Sequence, residues 1–354
     1  MEDNMSQENH IQPFDLVNSS HSEYAALNRY SNLLRAERLP DDPPVPLEEL
    51  IQNLKNVPAF IDYKIWCAWD ASHTRIVGNG DVVLLRTEDN RHLAQFNLGV
   101  LPEYRRQGIA RRLISLLANA ARDDRRRLLI TETNERIPAG EAFMDRLGGH
   151  KGLVGHVNQL RLDELDRSLL VRWLERGTSL ADDFELGLWD GPYPEEQIDA
   201  VVQLFELNNQ QPFGDIEIED MHLTAEQLRQ SEQASFARGN QRWTFYAIEK
   251  ATGKFAGYTE TIWNPNRPQI LRQDMTGVFP EYRNRGLGRW LKAAMLDKVL
   301  ADRPQVKFVR TGNADSNAAM LKINDELGFK PYQATALWQV EVDSILSYLD
   351  GRQP

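Results

Sequence analysis

The sequence predicts an α+β protein made of two copies of one folding pattern. Three observations predict it. VLPEYRRQGIARRLISLL, residues 100–117, and VFPEYRNRGLGRWLKAAM, residues 278–295, align without a gap. The order of strand-like and helix-like stretches around the first returns around the second, the mark of an internal repeat. The length, 354 residues, suits two domains of ordinary size.

The elements follow in order. IQPFDLV reads as a short strand, and SEYAALNRYSNLLRAE as a helix by its apolar spacing. LPDDPPVP breaks that helix. PLEELIQNLKN is a second helix, with Pro46 in its first turn. YKIWCAWD and IVGNGDVVLL are strands, and RHLAQFNLGVL is a third that leads into the first glycine turn. A helix to about Arg122, the strand LLITET, the helix PAGEAFMDRLGG and the strand HVNQLRL complete the first half. DELDRSLLVRWLERGTSLADD reads as a connecting helix, since it lacks the Gly, Ser or Pro richness of a floppy linker.

From about residue 184 the order repeats. FELGLWDG is a strand and PEEQIDAVVQLFELNN a helix. LTAEQLRQSEQASFARGN is a second helix, with Thr224 and Gln227 at capping-box spacing. RWTFYAIEK and KFAGYTETIW are strands joined across ATG. ILRQDMTGVF is a strand, RNRGLGRWLKAAMLDKVLA a helix and VKFVRTGN a strand. SNAAMLKINDELGF is a helix closed by glycine, and ATALWQVEV a final strand. Each half therefore reads β-α-α-β-β-β-α-β-α-β. The predicted domains are residues 10–165 and 183–351, joined by 166–182.

Composition narrows the function. Apolar residues make up 41% and charged residues 26%, enough for two cores in a soluble chain. No apolar run approaches the ~18 residues of a membrane helix. The polar start, MEDNMSQENHIQ, has no basic and apolar leader pattern. The single cysteine, Cys67, cannot form an internal disulfide and sits in an apolar strand as a small hydrophobe. These features lead to an expected cytoplasmic location. The net charge is −11, which repels a phosphate backbone and makes nucleic acid a poor partner. The seven His lack metal-ligand spacing, so no metal is expected. The basic run RDDRRR, 122–127, reads as an exposed helix end.

The glycine turns carry the chemistry. In the second copy a helix starts near Gly286, where its first N–H groups lack internal partners and the helix dipole is positive. Gly286 and Gly288 have no Cβ to hold a ligand off. Arg283, Arg285 and Arg289 add full charges. Together they make an anion seat suited to a pyrophosphate. Leu287, Leu291, Ala294 and Met295 form the buried stripe of the helix. The turn has neither the Gly-Lys-Ser/Thr of a P-loop nor G-x-G-x-x-G, so triphosphate hydrolysis and dinucleotide binding are disfavoured.

Here the sequence resembles the GNAT superfamily of acyl-CoA-dependent N-acetyltransferases. The family motif, Arg/Gln-x-x-Gly-x-Gly/Ala, stands as Arg283-Asn284-Arg285-Gly286-Leu287-Gly288 and as Arg105-Arg106-Gln107-Gly108-Ile109-Ala110. Val-x-Pro precedes each, as Val278-Phe279-Pro280 and Val100-Leu101-Pro102. RTGNADSNAAMLKINDELGF looks like the family's next strand and helix, with its closing Leu-Gly-Phe. The likeness spans nearly the whole chain, once per half, and is greatest to the tandem type that includes mycothiol synthase. It implies two mixed-sheet GNAT folds. It also implies a gap between two splayed strands that takes the pantetheine arm of acetyl-CoA, and a backbone N–H near Val278 for the thioester carbonyl. The implied reaction is direct attack by an amine in a ternary complex, with no metal and no covalent enzyme intermediate.

The halves differ where chemistry would occur. The second half has Gln273-Asp274 where the first has Gln95-Phe96. An acceptor ammonium must lose a proton. Asp274 is the first candidate base, and Glu260, on the preceding strand, the second. Asn313 and Asn317 could hold pantetheine amides, whereas the first half has Thr133 and Ile137, and its helix ends Leu147-Gly148-Gly149. The C-terminal half is therefore expected to be the catalyst, and the N-terminal half a support that keeps a pyrophosphate turn. Many GNATs place a Tyr four residues before the closing Gly as proton donor. Asn324 and Met144 stand there, which leaves the general acid open, with Tyr332 nearby in sequence.

The expected acceptor is a small-molecule primary amine. A peptide or protein amine, or a CoA-binding sensor or scaffold without chemistry, are the alternatives. Monomer and homodimer are left undecided. FGDIEIEDMHL, 213–223, would wall the acceptor pocket and steer a cation with Asp215, Glu217, Glu219 and Asp220. Trp243, Tyr258 and Trp263 could line the same pocket.

Overall fold

The computed structural model describes residues 10–351. The polar stretch before His10, read above for a leader, lies outside the described residues. The described chain divides into two compact units. Unit 1 runs to Leu153 and adds Asp215–Glu219 and the chain from Thr335. Unit 2 takes Val154–Gly214 and Asp220–Ala334.

Unit 1 holds strands β1 (His10–Phe14), β2 (Ile61–Trp69), β3 (Ile76–Leu85), β4 (Leu93–Val100) and β5 (Leu128–Asn134). Its helices are α1 (His21–Arg38), α2 (Leu47–Lys55), α3 (Ile109–Asp123) and α4 (Pro138–Arg146). Ser20 and Glu23 start α1 as a capping box, satisfying two otherwise orphaned N–H groups. Pro46 is the cap of α2 and precedes its first helical residue, one place earlier than expected. Neighbouring strands pair antiparallel except β4 and β5, which run parallel.

β6 (His150–Arg161) follows and differs from expectation. Residues 155–161 of β6 belong to unit 2, where they pair antiparallel with β11 (Phe308–Ala314). The last strand, β12 (Lys330–Glu341), pairs through Thr335–Glu341 with β5 of unit 1. Each repeat thus gives its final strand to the other unit. Periodicity reports that a strand exists, while its partner depends on chain tracing.

The rest of unit 2 comprises helix α5 (Arg167–Thr178), β7 (Phe184–Asp190), α6 (Ile198–Phe205), α7 (Ala225–Ala237), β8 (Gln241–Glu249), β9 (Phe255–Trp263), β10 (Ile270–Val278), α8 (Leu287–Asp302) and α9 (Ala318–Leu327). A last helix, α10 (Val342–Leu349), returns to unit 1. Thr224 and Gln227 form the expected capping box on α7. The sheet order is β6-β11-β10-β9-β8-β7, again with one parallel pair, β10 with β11. Leu287, Leu291 and Met295 of α8 are buried as expected, each contributing about 1.5–3 kcal/mol. Lys292, Ala293, Leu296 and Val299 are buried with them, whereas Ala294 is only half-buried.

Two expectations about surfaces change. Arg126, in the basic run, is buried and donates to the carbonyls of Leu85, Asn90 and Leu93. Those buried carbonyls need a donor, and a guanidinium can serve several at once. The acidic segment is anchored in unit 1 through Ile216, while Asp215, Glu217, Glu219 and Asp220 stay exposed. Ile216 packs in unit 1 with Leu93, Leu128 and Ile130, Glu217 pairs with Arg127, and Glu219 accepts from Asn90 N at 2.6 Å. Residues 215–219 thus belong to unit 1, where Glu217 and Glu219 find partners while staying exposed.

Candidate active site

The two glycine turns have one backbone. In each, Pro-Glu-Tyr makes a single 3₁₀ turn and the next Arg is extended. The residue after that is left-handed, Arg106 and Asn284 both at φ 63°. Asn adopts that region more readily than Arg. Gly108 at φ 81° and Gly286 at φ 99° then cap α3 and α8. A Cβ on either glycine would meet no atom within 4 Å, so each turn presents open backbone.

What lies beyond the turns differs. The parallel strands part early in both units, β4 and β5 pairing only through Leu93–Gln95 and β10 and β11 only through Ile270–Arg272, but the space at the open edge of β10 is not filled. A cavity of about 1440 Å³ opens there, larger than the roughly 300–1,000 Å³ of ordinary small-molecule sites. The second-half cofactor and base candidates line it: Val278, Arg283 through Arg289, Asn313, Asn317, Asp274 and Glu260. The first-half candidates, Val100 and Arg105 through Ala110, lie in unit 1 and are not among the residues that line a cavity of about 370 Å³ there, between Lys64, Trp66 and Asn119.

β10 is bulged at the cavity. Gln273 faces Thr261 and Thr276 faces Thr259, so Asp274 and Met275 together oppose Glu260. The extra residue stands outside the ladder and re-aims its neighbours. Gln273 stitches the bulge by donating to Glu260 O at 2.7 Å and Thr259 Oγ1 at 3.0 Å. In unit 1 the aligned β3–β4 register runs without a shift. No periodicity in the sequence signals this difference.

The two candidate bases are held differently. Glu260 is buried, and accepts from Tyr193 Oη at 2.5 Å and Thr244 Oγ1 at 3.1 Å, with Arg242 Nε at 3.6 Å. Burial raises its pKa, opposed by Arg242 and reinforced by Asp274. Asp274 is partly open and pairs with Arg272 through two contacts, 2.6 and 2.8 Å. Burial raises its pKa too, opposed by that guanidinium. Asp274 is thus the more exposed of the two, while Glu260 is buried with Tyr193 and Thr244 both donating to one of its oxygens.

Around the anion seat, Arg283 donates to Val278 O at 2.9 Å and to Gln210. Its counterpart Arg105 makes the same backbone bond but is neutralised by Glu37, at 2.6 and 2.8 Å. Arg289 pairs with Glu326. Asn317 caps α9 through Met320 N. The helix ends are alike: Gly328 and Gly148 are both left-handed, with Phe329 N on Asn324 O and Gly149 N on Met144 O. The Gly-Gly ending therefore closes its helix as Gly-Phe does.

Sequence reasoning missed three groups. α5, taken as a connector, lines the cavity with Arg172, Trp173 and Arg176. Asn158, from β6, donates to Asn313 Oδ1 at 3.2 Å. Lys292 is 2% exposed, lines the cavity, and donates to Asn324 Oδ1 at 2.6 Å. A lysine amid the apolar stripe of α8 was the available signal. Of the aromatic candidates, Tyr258 lines the cavity, while Trp243 and Trp263 pack in the core under Arg303. Tyr332 lies with Arg310 4.2 Å over its ring, and is not among the lining residues.

A profile of the acetyltransferase (GNAT) domain matches residues 62–148, and one of the acetyltransferase (GNAT) family matches residues 201–329. Among solved structures, the chain is similar to a tandem GNAT protein from the clavulanic acid biosynthesis pathway. The identity is 27% and the TM-score 0.76, over 95% of this chain and 99% of that one. It shares the fold of a GCN5-related N-acetyltransferase from Sphaerobacter thermophilus, at 13% identity and TM-score 0.66, over 94% and 96% of the two chains. It also shares that of a fungal glucosamine N-acetyltransferase region in a multi-domain GH3 β-N-acetylglucosaminidase, at 13% identity and TM-score 0.63, over 94% of this chain and 38% of that one. No curated protein matches the chain.

Proposed function

The chain belongs to the GNAT acetyltransferases and carries two of their domains in tandem, and on that premise we propose that unit 2 transfers an acetyl group from acetyl-CoA to the primary amine of a small molecule. The single observation that carries this reading is the cavity at the bulged, open edge of β10, into which the anion seat and Asp274 both face. Unit 1 keeps the turn and supports the fold.

The residues fit the co-substrate. The N–H groups at the start of α8, with Arg283 and Arg285, take the pyrophosphate. Arg172 and Arg176 of α5 add positive charge to the same wall. The open edge of β10 offers backbone groups to the pantetheine amides, as an added strand would. A donor near Val278 is worth ~10²–10³ in rate when aimed at a developing oxyanion. Asp274 takes the proton of the attacking amine, and its raised pKa brings it closer to that task. Glu260, held by two hydroxyl donors and facing Arg242, shapes the pocket and sets the local field.

The test is acetyl-CoA binding by calorimetry to the intact protein, Gly286→Glu and Gly108→Glu. Each variant puts bulk and negative charge into a turn that also needs a left-handed residue. The expected outcome is one site, lost at least a hundredfold with Gly286→Glu and kept within about twofold with Gly108→Glu. Absence of any binding by the intact protein would sink the acetyltransferase reading.

A further inference from the structure

Four aligned positions change character between the units. In unit 1, Ile114, Met144 and Trp338 belong to one apolar core, and Trp338 Nε1 donates to Thr133 Oγ1 at 2.8 Å. In unit 2 the matching residues are Lys292, Asn324, Asn158 and Asn313. They form a chain of hydrogen bonds. Lys292 Nζ donates to Asn324 Oδ1 at 2.6 Å, Asn324 Nδ2 to Asn313 Oδ1 at 2.8 Å, and Asn158 Nδ2 to the same oxygen at 3.2 Å. Lys292, Asn324 and Asn158 are buried, and Lys292 and Asn313 line the cavity. A buried ammonium with a neutral partner is costly, so a merely structural site would favour the apolar set of unit 1.

The place of Lys292 is informative. It lies on α8 about 8–9 Å along the axis from the anion seat at Gly286, on the way into the cleft. A ligand anchored at that seat and reaching the bulge of β10 passes this wall. We propose that Lys292 hands a proton to the departing CoA thiolate, with Asn324 and Asn313 fixing its amine in the cleft wall. The inference rests on the acetyltransferase reading above. As the amine nitrogen bonds to the acyl carbon, the carbon–sulfur bond breaks and its electron pair stays on sulfur. Lys292 gives that sulfur a proton and becomes a neutral amine. Asp274 takes the proton lost by nitrogen, and both groups reset through solvent once products leave.

The electrostatics agree with that role. Burial pushes the Lys292 ammonium down to about 7. A thiol near ~8.5 holds a proton more tightly than such a lysine, whereas an ordinary lysine near ~10.4 would not give one up. The charged groups on the elements packed around it are engaged with one another. Arg289 of α8 pairs with Glu326 of α9, and Lys322 of α9 and Arg176 of α5 act on that same Glu326. Among the described residues none shifts Lys292, whose proton is loosened by burial alone.

The experiment is nitrogen NMR of lysine-labelled protein, titrated with pH in complexes with CoA and with desulfo-CoA. Lys292→Met assigns the resonance, and Lys292→Arg does so should the methionine variant not fold. A Lys292 midpoint that differs by half a pH unit or more between the two complexes places its amine at the sulfur. Equal midpoints would overturn the proposal. With any amine that supports turnover, Lys292→Met should lower kcat roughly 10–100-fold at unchanged KM for acetyl-CoA, and remove the fall of kcat above neutral pH. An unchanged pH profile would also overturn it. Failure of both ligands to bind would instead sink the acetyltransferase reading, and this inference with it.

Discussion

The turns at Gly108 and Gly286 share their dihedrals, their preceding 3₁₀ turn and their Arg-to-carbonyl bond. Behind one lies a cleft and behind the other a packed core. The difference lies in what fills the wedge between the parallel strands. In unit 1 an indole, a thioether and a phenyl ring occupy it, from Trp338, Met144 and Phe96. In unit 2 the matching places hold Asn158, Asn324 and Asp274 around open space. The lesson is that a glycine turn supplies a seat for an anion, while the packing behind it decides whether a substrate can follow.

The strongest way to break the comparison is to exchange the wedges. Trp338→Ala removes the largest filler and should destabilise unit 1 by about 3–5 kcal/mol in denaturant unfolding. Acetyl-CoA affinity should stay within about twofold. Asn158→Trp should do the reverse in unit 2, closing the cleft and weakening acetyl-CoA about tenfold or more by calorimetry. Equal affinities in wild type and Asn158→Trp would mean the cleft is not where the ligand lies.

A sharper test concerns the bulge. Asp274→Asn keeps the shape but cannot take a proton. With an accepted amine, kcat should fall about 10²–10³-fold while acetyl-CoA affinity holds. Wild-type kcat should rise with pH through the raised pKa of Asp274, and the variant should lose that limb. Retention of the limb would move the base elsewhere.

The smallest effect concerns Asp81, which holds in β3 the place of Glu260 in β9 to within one residue. It is buried, accepts from Asn97 at 2.9 Å, and burial raises its pKa to about 6. Folding thus favours its neutral form. Its stabilising contribution is full below the unfolded value near ~3.9 and is lost as pH rises through about 6. Asp81→Asn should therefore stabilise unit 1 by about 1–3 kcal/mol at pH 8, with the gain shrinking below pH 6. A gain independent of pH would contradict the buried-carboxylate account.

Much of this was legible in the chain. The repeat, both glycine turns, the capping box of α7 and Arg283 came from local residue chemistry, Asp274 and Asn313 came through the family resemblance, and the structure gathers these second-half residues around one cavity. Other features were not legible. RDDRRR looked exposed because its charges were visible and the carbonyls that Arg126 satisfies were not. FGDIEIED looked like part of the second half because the packing of Ile216 in unit 1 carries no local signal. The role of α5 as a cleft wall needed its packing against α8.

By itself the sequence determined the turns, the helices and the order of the elements. These follow from φ preferences, caps and apolar period, which act over a few residues. Only the tertiary structure decided that β6 and β12 change places, that β10 carries a bulge, and that Lys292 is buried beside Asn324. Pairing, register and burial depend on residues far apart in the chain. The local pattern that makes a strand or a helix is the same whichever partner it meets.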